Sequence, residues 1–137
     1  VHIESDLGPD GHSDADVLIH ALMDAMLGAA GLRDIGYYFP PEDDQYKGIS
    51  SMLLLEKVNF LLKERGLQAY NIDIMVISET PKLKPHIDMM KANLQSILEI
   101  SLDRISIKAT TNEMLGAIGR REGIAAQAVV SVYEGDV

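Results

Sequence analysis

The sequence has no cysteine in its 137 residues. Disulfide bonds and thiolate metal sites are therefore excluded, so histidine, aspartate and glutamate must supply the ligands of any bound metal ion. The sequence also lacks the phosphate-binding patterns G-x-x-x-x-G-K-[ST] and G-x-G-x-x-G and the nucleophile pattern G-x-S-x-G. A chain without cysteine is compatible with a reducing compartment such as the cytosol.

Positively charged residues are scarce. Lysine and arginine number 12 against 21 aspartate and glutamate residues, which gives a formal net charge of −9 at pH 7. Such an acidic chain is repelled by a nucleic-acid backbone, so nucleic acid is disfavoured as the main partner. A phosphorylated ligand meets the same repulsion unless metal ions, helix N-termini, backbone N–H groups or a few placed lysines reverse the field locally.

Aromatic residues make up only 5% of the chain, whereas hydrophobic residues make up 47%. Small and aliphatic side chains must therefore build the core, which favours an oligomer because a larger assembly buries more surface. No apolar run approaches the roughly 18 residues of a membrane span. The length predicts a single domain over residues 1–137. The sequence starts at Val1 rather than at methionine, and "VHI" is typical of the end of a strand, so we expect further residues before it.

The hydrophobic pattern predicts three helices. The first covers about residues 14–30 and ends at a glycine. The second begins at Ser50 or Ser51 and ends at Gly66, and the third begins near Pro85. Residues 32–50, between the first two helices, are rich in Pro, Gly and Asp and are expected to form a long loop, a feature that is usually functional in a compact domain.

Alternating isoleucine and valine residues predict strands in "AYNIDIMVISE" (69–79), "RISIKATT" (104–111) and "GIAAQAVVSVYE" (123–134). The segment "NEMLGAIG" is typical of a short helix or turn. The order of elements indicates an α+β fold, with a mixed β-sheet and helices packed on one face. Because the final strand is long, apolar and rich in small residues, we expect it to be central in the sheet or to be covered by another subunit.

The segment "GHSDADVLIHALMDA" carries two histidines among aspartates. Ser13 and Asp16 resemble a capping box at a helix start, with aspartate in place of glutamate or glutamine. His12 precedes them in a glycine-flanked loop, where helix N–H groups favour an anion or where the histidine is simply exposed. Asp16, His20 and Asp24 share one helical face because they are spaced by four residues. His20 is therefore either a metal ligand or a buried histidine satisfied by a carboxylate.

Two further segments follow predicted strands. Lys82 and Lys84, in "TPKLKPHI", suit a phosphate, or they are solvated surface lysines. In "KATTNE", the hydroxyls of Thr110 and Thr111 can hold a phosphoryl oxygen, and Glu113 can hold a hard cation such as Mg²⁺. The alternative for this second segment is a helix start, with either a capping box formed by Thr110 and Glu113 or a cap formed by Asn112.

Taken in order, "HSDADVLIHALMDAMLGAAGLRDIG", "FP", "YKG", "PKLKPHI", "KATTNEMLG" and "GRREGIA" resemble the 2-C-methyl-D-erythritol 2,4-cyclodiphosphate synthase family of non-mevalonate isoprenoid biosynthesis. The resemblance covers nearly the whole chain. It implies a homotrimer whose sheets face the threefold axis, with active sites between adjacent subunits. It also implies a lyase of the cytoplasm or plastid stroma that converts 4-diphosphocytidyl-2-C-methyl-D-erythritol 2-phosphate to the cyclic diphosphate and CMP.

The resemblance assigns roles to residues of this chain. His20 matches a zinc ligand, and Glu113 matches the ligand of a magnesium or manganese ion that bridges the phosphates. His12 and Thr111 match two transition-state stabilisers. The remaining matches are to substrate-binding positions. They are Ser13 in the loop that covers the substrate; Asp34, Ile35, Gly36, Phe39, Pro40, Pro41, Glu42 and Asp43 at the methylerythritol group; Ser78, Glu79, Thr80, Pro81, Lys82, Leu83 and Lys84 at the cytidine, usually from the neighbouring subunit; and Thr110, Thr111, Asn112 and Glu113 at the phosphates, followed by Ala117 and Arg120.

The chain departs from the family pattern at three places. The family's other two zinc ligands lie in an Asp-x-His motif on the first strand, upstream of Val1. Pro41 replaces an aspartate that is common after the Phe-Pro pair, and Ala117 stands where phenylalanine is often found. We expect the zinc motif in a preceding segment. Without that motif, the chain would be a non-catalytic trimeric module that keeps its nucleotide contacts.

Overall fold

The structure, a computed structural model, describes residues 4–40, 42–46, 50–78, 84–111, 113–119 and 124–135, with the backbone alone at residues 4–14, 46 and 119. The main elements follow one another along the chain in this order. They are α1 (Glu4–Ala29), α2 (Ile35–Tyr38), α3 (Ser51–Glu64), β1 (Leu67–Ile77), α4 (Ile87–Leu98), β2 (Ile105–Thr110), α5 (Gly116–Gly119) and β3 (Ala125–Glu134), with 3₁₀ turns at Asp44–Tyr46, Lys84–His86 and Leu102–Arg104.

The three strands form a mixed sheet in the order β2-β1-β3. β1 pairs in parallel with β2 and antiparallel with β3, so that Ile77 at the end of β1 lies opposite both Thr110 and Ala125. α4 provides the crossover that a parallel pair requires. Within the described sheet β3 lies at an edge, so the prediction that it is central is wrong, while its coverage by another subunit stays a prediction.

One hydrophobic core lies between the sheet and the helices. Along β1, Ile72, Ile74 and Val76 are buried and the residues between them are not, as the two-residue period of a strand requires. Buried residues of α1, α3, α4 and β2 belong to the same core, and alternate residues of β3 pack against it. The predicted α+β fold with a mixed sheet and helices is confirmed. α1 contributes the largest group of buried side chains, which are Ala15, Leu18, Ile19, Leu22, Met23, Met26 and Leu27.

Two helix ends and one helix start lie where the sequence predicts them. Gly31 (φ 73°) and Gly66 (φ 72°) adopt the left-handed backbone that terminates α1 and α3. At the start of α3, the Ser50 hydroxyl accepts the N–H groups of Met52 at 3.1 Å and Leu53 at 3.4 Å. Each of these signals depends on the conformation or hydrogen bonding of a single residue, which explains why it is visible in the sequence.

α1 begins at Glu4 rather than near Asp14. The glycines and the proline before Asp14 favour a loop locally. Extension of an existing helix, however, adds a hydrogen bond per residue without a new nucleation step. The loop predicted before Asp14 is therefore wrong. The strand predicted for "VHI" lies outside the described residues.

The predicted long loop contains ordered turns. α2 and a 3₁₀ turn interrupt it, and each has a carboxylate at its start. Asp34 accepts the Tyr37 N–H at 2.9 Å, and Asp43 accepts the Gln45 N–H at 3.1 Å. These bonds satisfy amides that a helix start leaves unpaired. None of the helices in the described ranges combines the length and apolar character needed to cross a bilayer.

Candidate functional site

The parallel strands β1 and β2 end side by side. The Ser78 N–H donates to the Thr110 carbonyl oxygen at 2.9 Å, directly after the Ile77–Thr110 pair of the ladder. Ser78 is buried, whereas Thr110 and Thr111 are exposed. The segments that follow the two strands therefore leave the sheet at one edge, the position where open α/β sheets commonly bind ligands.

The chain turns sharply after β2. The Thr111 hydroxyl accepts the Glu113 N–H at 3.2 Å, and the Thr110 hydroxyl donates to the Thr111 carbonyl at 3.5 Å. Glu113 (φ 53°) and Met114 (φ 64°) have left-handed backbones, and α5 begins only at Gly116. The predicted capping box of Thr110 and Glu113 is wrong, because Thr111 rather than Thr110 holds the Glu113 amide. The turn leaves two hydroxyls and one carboxylate exposed at the sheet edge.

His20 is exposed on α1, while Leu18 and Leu22 beside it are fully buried. The alternative of a buried histidine is therefore wrong. The two aspartates on the same helical face contact other elements. Asp16 Oδ1 accepts from the Ser51 hydroxyl at 2.8 Å, and Asp24 Oδ1 accepts from the Ile35 N–H at 2.9 Å.

The described residues do not complete a zinc site. Across these ranges of the chain, no group of three or more histidine, aspartate and glutamate side chains is placed to hold a metal ion. Zinc needs three or four such ligands where cysteine is absent. His20 fits as one exposed imidazole donor, and Glu113 as one exposed carboxylate donor, but neither is a site by itself.

Asp34, Ile35 and Gly36 lie against α1, one turn of helix beyond His20. The Ile35 N–H bonds Asp24, and the Asp34 carboxylate caps α2, while Gly36 is exposed. The structure thus brings together the predicted zinc ligand and the segment predicted to meet the methylerythritol group. Asp24 was predicted to share a helical face with His20, but its contact with Ile35 was not predicted, because the sequence carries no local signal for it.

The Asp43 carboxylate accepts two hydrogen bonds from Gln45. The Gln45 side-chain amide donates to Asp43 Oδ2 at 2.9 Å, and the Gln45 backbone N–H donates to Oδ1. The side-chain bond first, and then the backbone bond, lower the pKa of Asp43 below its ordinary 3.8 because both favour the ionised carboxylate. Asp43 was predicted as a substrate contact, whereas no role was predicted for Gln45.

His12 and Ser13 lie inside α1. The predicted capping box of Ser13 with Asp16 is therefore wrong, because Ser13 is not at the helix start. The loop predicted to carry His12 over a substrate is also wrong, since the backbone there is helical. In both cases the helix extends further towards its N-terminus than the local glycines indicate.

The other predicted site residues fall into two groups. Phe39 and Pro40 are partly buried, whereas Glu42, Lys84 and Ala117 are exposed. The second group lies outside the described residues and consists of Pro41, Glu79, Thr80, Pro81, Lys82, Leu83, Asn112 and Arg120.

The YgbB family model matches residues 1–133 of the chain. The 2-C-methyl-D-erythritol 2,4-cyclodiphosphate synthase of Synechococcus elongatus is 57% identical over 129 residues, which cover 94% of this chain and 81% of that protein. The protein of the same name from Halothermothrix orenii is 54% identical over 140 residues, covering 100% of this chain and 85% of that protein.

Solved structures are similar as well. The bifunctional IspDF of Campylobacter jejuni matches with a TM-score of 0.83 and 44% identity, over 88% of this chain and 32% of that chain. IspF of Plasmodium falciparum in complex with CDP matches with a TM-score of 0.76 and 29% identity, over 88% of this chain and 72% of that chain. The similarity thus extends over most of this chain in both sequence and fold.

Proposed function

The chain belongs to the YgbB family, and from that premise we propose that it closes 4-diphosphocytidyl-2-C-methyl-D-erythritol 2-phosphate to 2-C-methyl-D-erythritol 2,4-cyclodiphosphate and releases CMP. This is a phosphorus–oxygen lyase reaction of isoprenoid biosynthesis. The observation that carries the proposal is 57% identity, over 94% of this chain, to a protein named for that synthase activity.

The reaction needs positioning more than a strong base. An oxygen of the substrate's own 2-phosphate forms a bond to the β-phosphorus, while the bond from that phosphorus to the oxygen retained by CMP breaks. Because the nucleophile is already an ionised phosphate oxygen, the protein must mainly align it with the leaving group and stabilise the developing charge. Holding two reacting groups in one bound substrate removes most of the entropic cost of bringing them together.

The carboxyl-terminal ends of β1 and β2 provide groups that suit the phosphates. The Ser78–Thr110 hydrogen bond fixes the ends of the two strands, and the exposed hydroxyls of Thr110 and Thr111 follow directly. We assign these two threonines to phosphate oxygens and Thr111 also to the transition state. The cytidine is assigned to residues 78–84, and the CDP bound by the Plasmodium falciparum relative supports a nucleotide of this chemistry.

We assign His20 as one zinc ligand and Glu113 as a ligand of magnesium or manganese. The exposure of both side chains supports this assignment. Divalent cations, when bound, supply positive charge that offsets the diphosphate and the chain's own charge of −9. The chain's contribution is one imidazole and one carboxylate, held by α1 and by the turn after β2.

A homotrimer with active sites between subunits is the assembly we propose. The sheet face away from the helices supports it, because Val129 on that face is 71% exposed. A neighbouring subunit would also bring the cytidine segment of one chain to the His20 face of the next.

The proposal is tested with the full-length native protein and the cytidine substrate. CMP release is followed by chromatography and ring closure by ³¹P NMR, with zinc and Mg²⁺ present and after chelation. We expect turnover that chelation abolishes. His20→Ala should lose both turnover and bound zinc, measured by elemental analysis, whereas Lys57→Ala, an exposed helical control, should keep both. Absence of CMP release by the metal-loaded wild type would refute the proposal.

A non-catalytic nucleotide-binding module is the alternative that the test of the proposed function must exclude. Calorimetry with CDP, with and without zinc, separates the two candidates when turnover is measured on the same sample. Binding of CDP that is independent of metal and is accompanied by no turnover would support the module.

A further inference from the structure

We propose that Asp24 is a positioning residue that fixes the Asp34–Gly36 segment against α1, in the orientation that the substrate's polyol group requires. This inference rests on the proposed function, because that function makes Asp34–Gly36 a substrate-binding segment. Asp24 itself was not among the predicted site residues, and its role follows from one hydrogen bond between two elements.

The contact that carries the inference joins residues 11 apart in sequence. The Ile35 N–H donates to Asp24 Oδ1 at 2.9 Å. The Tyr37 N–H donates to Asp34 Oδ1 at the same distance. Two amides in the first turn of α2 are therefore satisfied by two carboxylates, one within the segment itself and the other on α1.

α2 needs an external anchor because it has only four residues. So short a helix is not stable through its own backbone hydrogen bonds. Asp34 fixes where the helix starts, but a cap within the segment cannot fix where the segment lies relative to α1. Ile35 and Tyr38 of α2, with Leu32 and Phe39 on either side of it, pack against the core and hold the segment there through apolar contacts. The hydrogen bond to Asp24 also fixes the orientation of the segment relative to α1. A carboxylate is favoured at a helix N-terminus, and it constrains the direction of the N–H group that donates to it.

The anchored segment presents polar groups outward. Asp34 and Gly36 are exposed, and within the described part of the chain the Gly36 N–H has no acceptor. It is thus available to a hydroxyl oxygen of a ligand. Asp24 lies four residues after His20 on the same face of α1, so the bond to Ile35 also sets the separation between the predicted zinc ligand and the segment.

Three variants test the role of Asp24 in the full-length protein. Asp24→Ala removes the acceptor, and Asp24→Asn keeps an oxygen acceptor while removing the charge. Ser50→Ala is the matched control, because it removes a side-chain acceptor of helix-start amides at α3, outside the proposed site. We expect Asp24→Ala to raise KM roughly tenfold, with a smaller change in kcat, since the segment binds the substrate. Asp24→Asn should restore most of the KM, and Ser50→Ala should lower thermal stability without changing KM.

Amide hydrogen exchange gives a second readout that does not depend on turnover. In Asp24→Ala the Ile35 amide should exchange faster, while the Tyr37 amide, held by Asp34, should change less. An unchanged KM in Asp24→Ala, an Asn variant as impaired as the Ala variant, or an unprotected Ile35 amide in the wild type would each overturn the inference. If the wild type releases no CMP, the proposed function fails, and the exchange measurement still decides whether Asp24 anchors the segment.

Discussion

The Ser51 hydroxyl donates a hydrogen bond to Asp16 Oδ1 at 2.8 Å, across 35 residues of sequence. This contact joins α1 to the first turn of α3. One helical turn further along α1, His20 remains exposed, and one turn beyond that the Asp24 carboxylate bonds the Ile35 amide. The two aspartates therefore connect α1 to its neighbours, while the histidine between them stays open to a ligand.

Two glycine substitutions should change stability in opposite directions. Gly66→Ala places a Cβ at φ 72°, a left-handed conformation that costs a non-glycine residue about 1 kcal/mol. Gly28→Ala lies within α1, where an added Cβ meets nothing within 4 Å, and should stabilise the protein by about 0.5–1 kcal/mol because alanine is the better helix former. Urea denaturation of both variants measures the difference, and equal effects of the same sign would contradict the assigned conformations.

Val129→Glu should disrupt the proposed trimer. Val129 is 71% exposed on the outer face of the sheet, opposite Asp73 of β1, so a second carboxylate buried there by another subunit would be strongly destabilising. Light scattering should show a fall from the mass of the assembly to the mass of one subunit. Leu53→Glu is the control, because Leu53 is an exposed apolar residue that lies on α3 and not on the sheet. This substitution should leave the mass of the assembly unchanged. An assembled Val129→Glu protein would argue against this face as the subunit contact.

Asp43 should titrate below its ordinary range, and Gln45→Ala should raise its pKa towards 3.8. Because the folded-state pKa is the lower one, the contribution of this carboxylate to stability is present above about pH 3.8. It is lost as the pH falls through the folded-state value. NMR titration of the Asp43 carboxyl group in the wild type and in Gln45→Ala measures the shift. A pKa that is the same in both proteins would show that Gln45 does not stabilise the ionised form.

Much of the fold could be predicted because its signals are local. Gly31, Gly66 and Ser50 each determine a helix end or start through their own backbone or hydroxyl. The alternation of buried residues along β1 follows from the period of a strand, which the pattern of isoleucine and valine already contains. These features depend little on which other segment of the chain lies nearby.

The missed features depend on cooperativity or on distant contacts. The start of α1 at Glu4 reflects propagation of a helix through residues whose own preference is for a loop. The bond between Asp24 and Ile35 requires the chain to reverse at Gly31, and no spacing rule contains it. At Thr111, a side chain accepts an amide two residues later, and this competes with the helical cap that the sequence motif favours.

The register of the central strand has a consequence for how the protein is made. β1 pairs with β3 from Leu67 opposite Glu134 to Ile77 opposite Ala125, with one shift of register between Ala69 and Asn71. Contacts between residues so far apart in sequence form slowly, because a long segment must be ordered before they can be made. During synthesis on the ribosome, both edges of β1 are therefore open until β2 emerges, and one stays open until the residues of β3 emerge. In that interval a nascent chain is most exposed to mispairing with other chains.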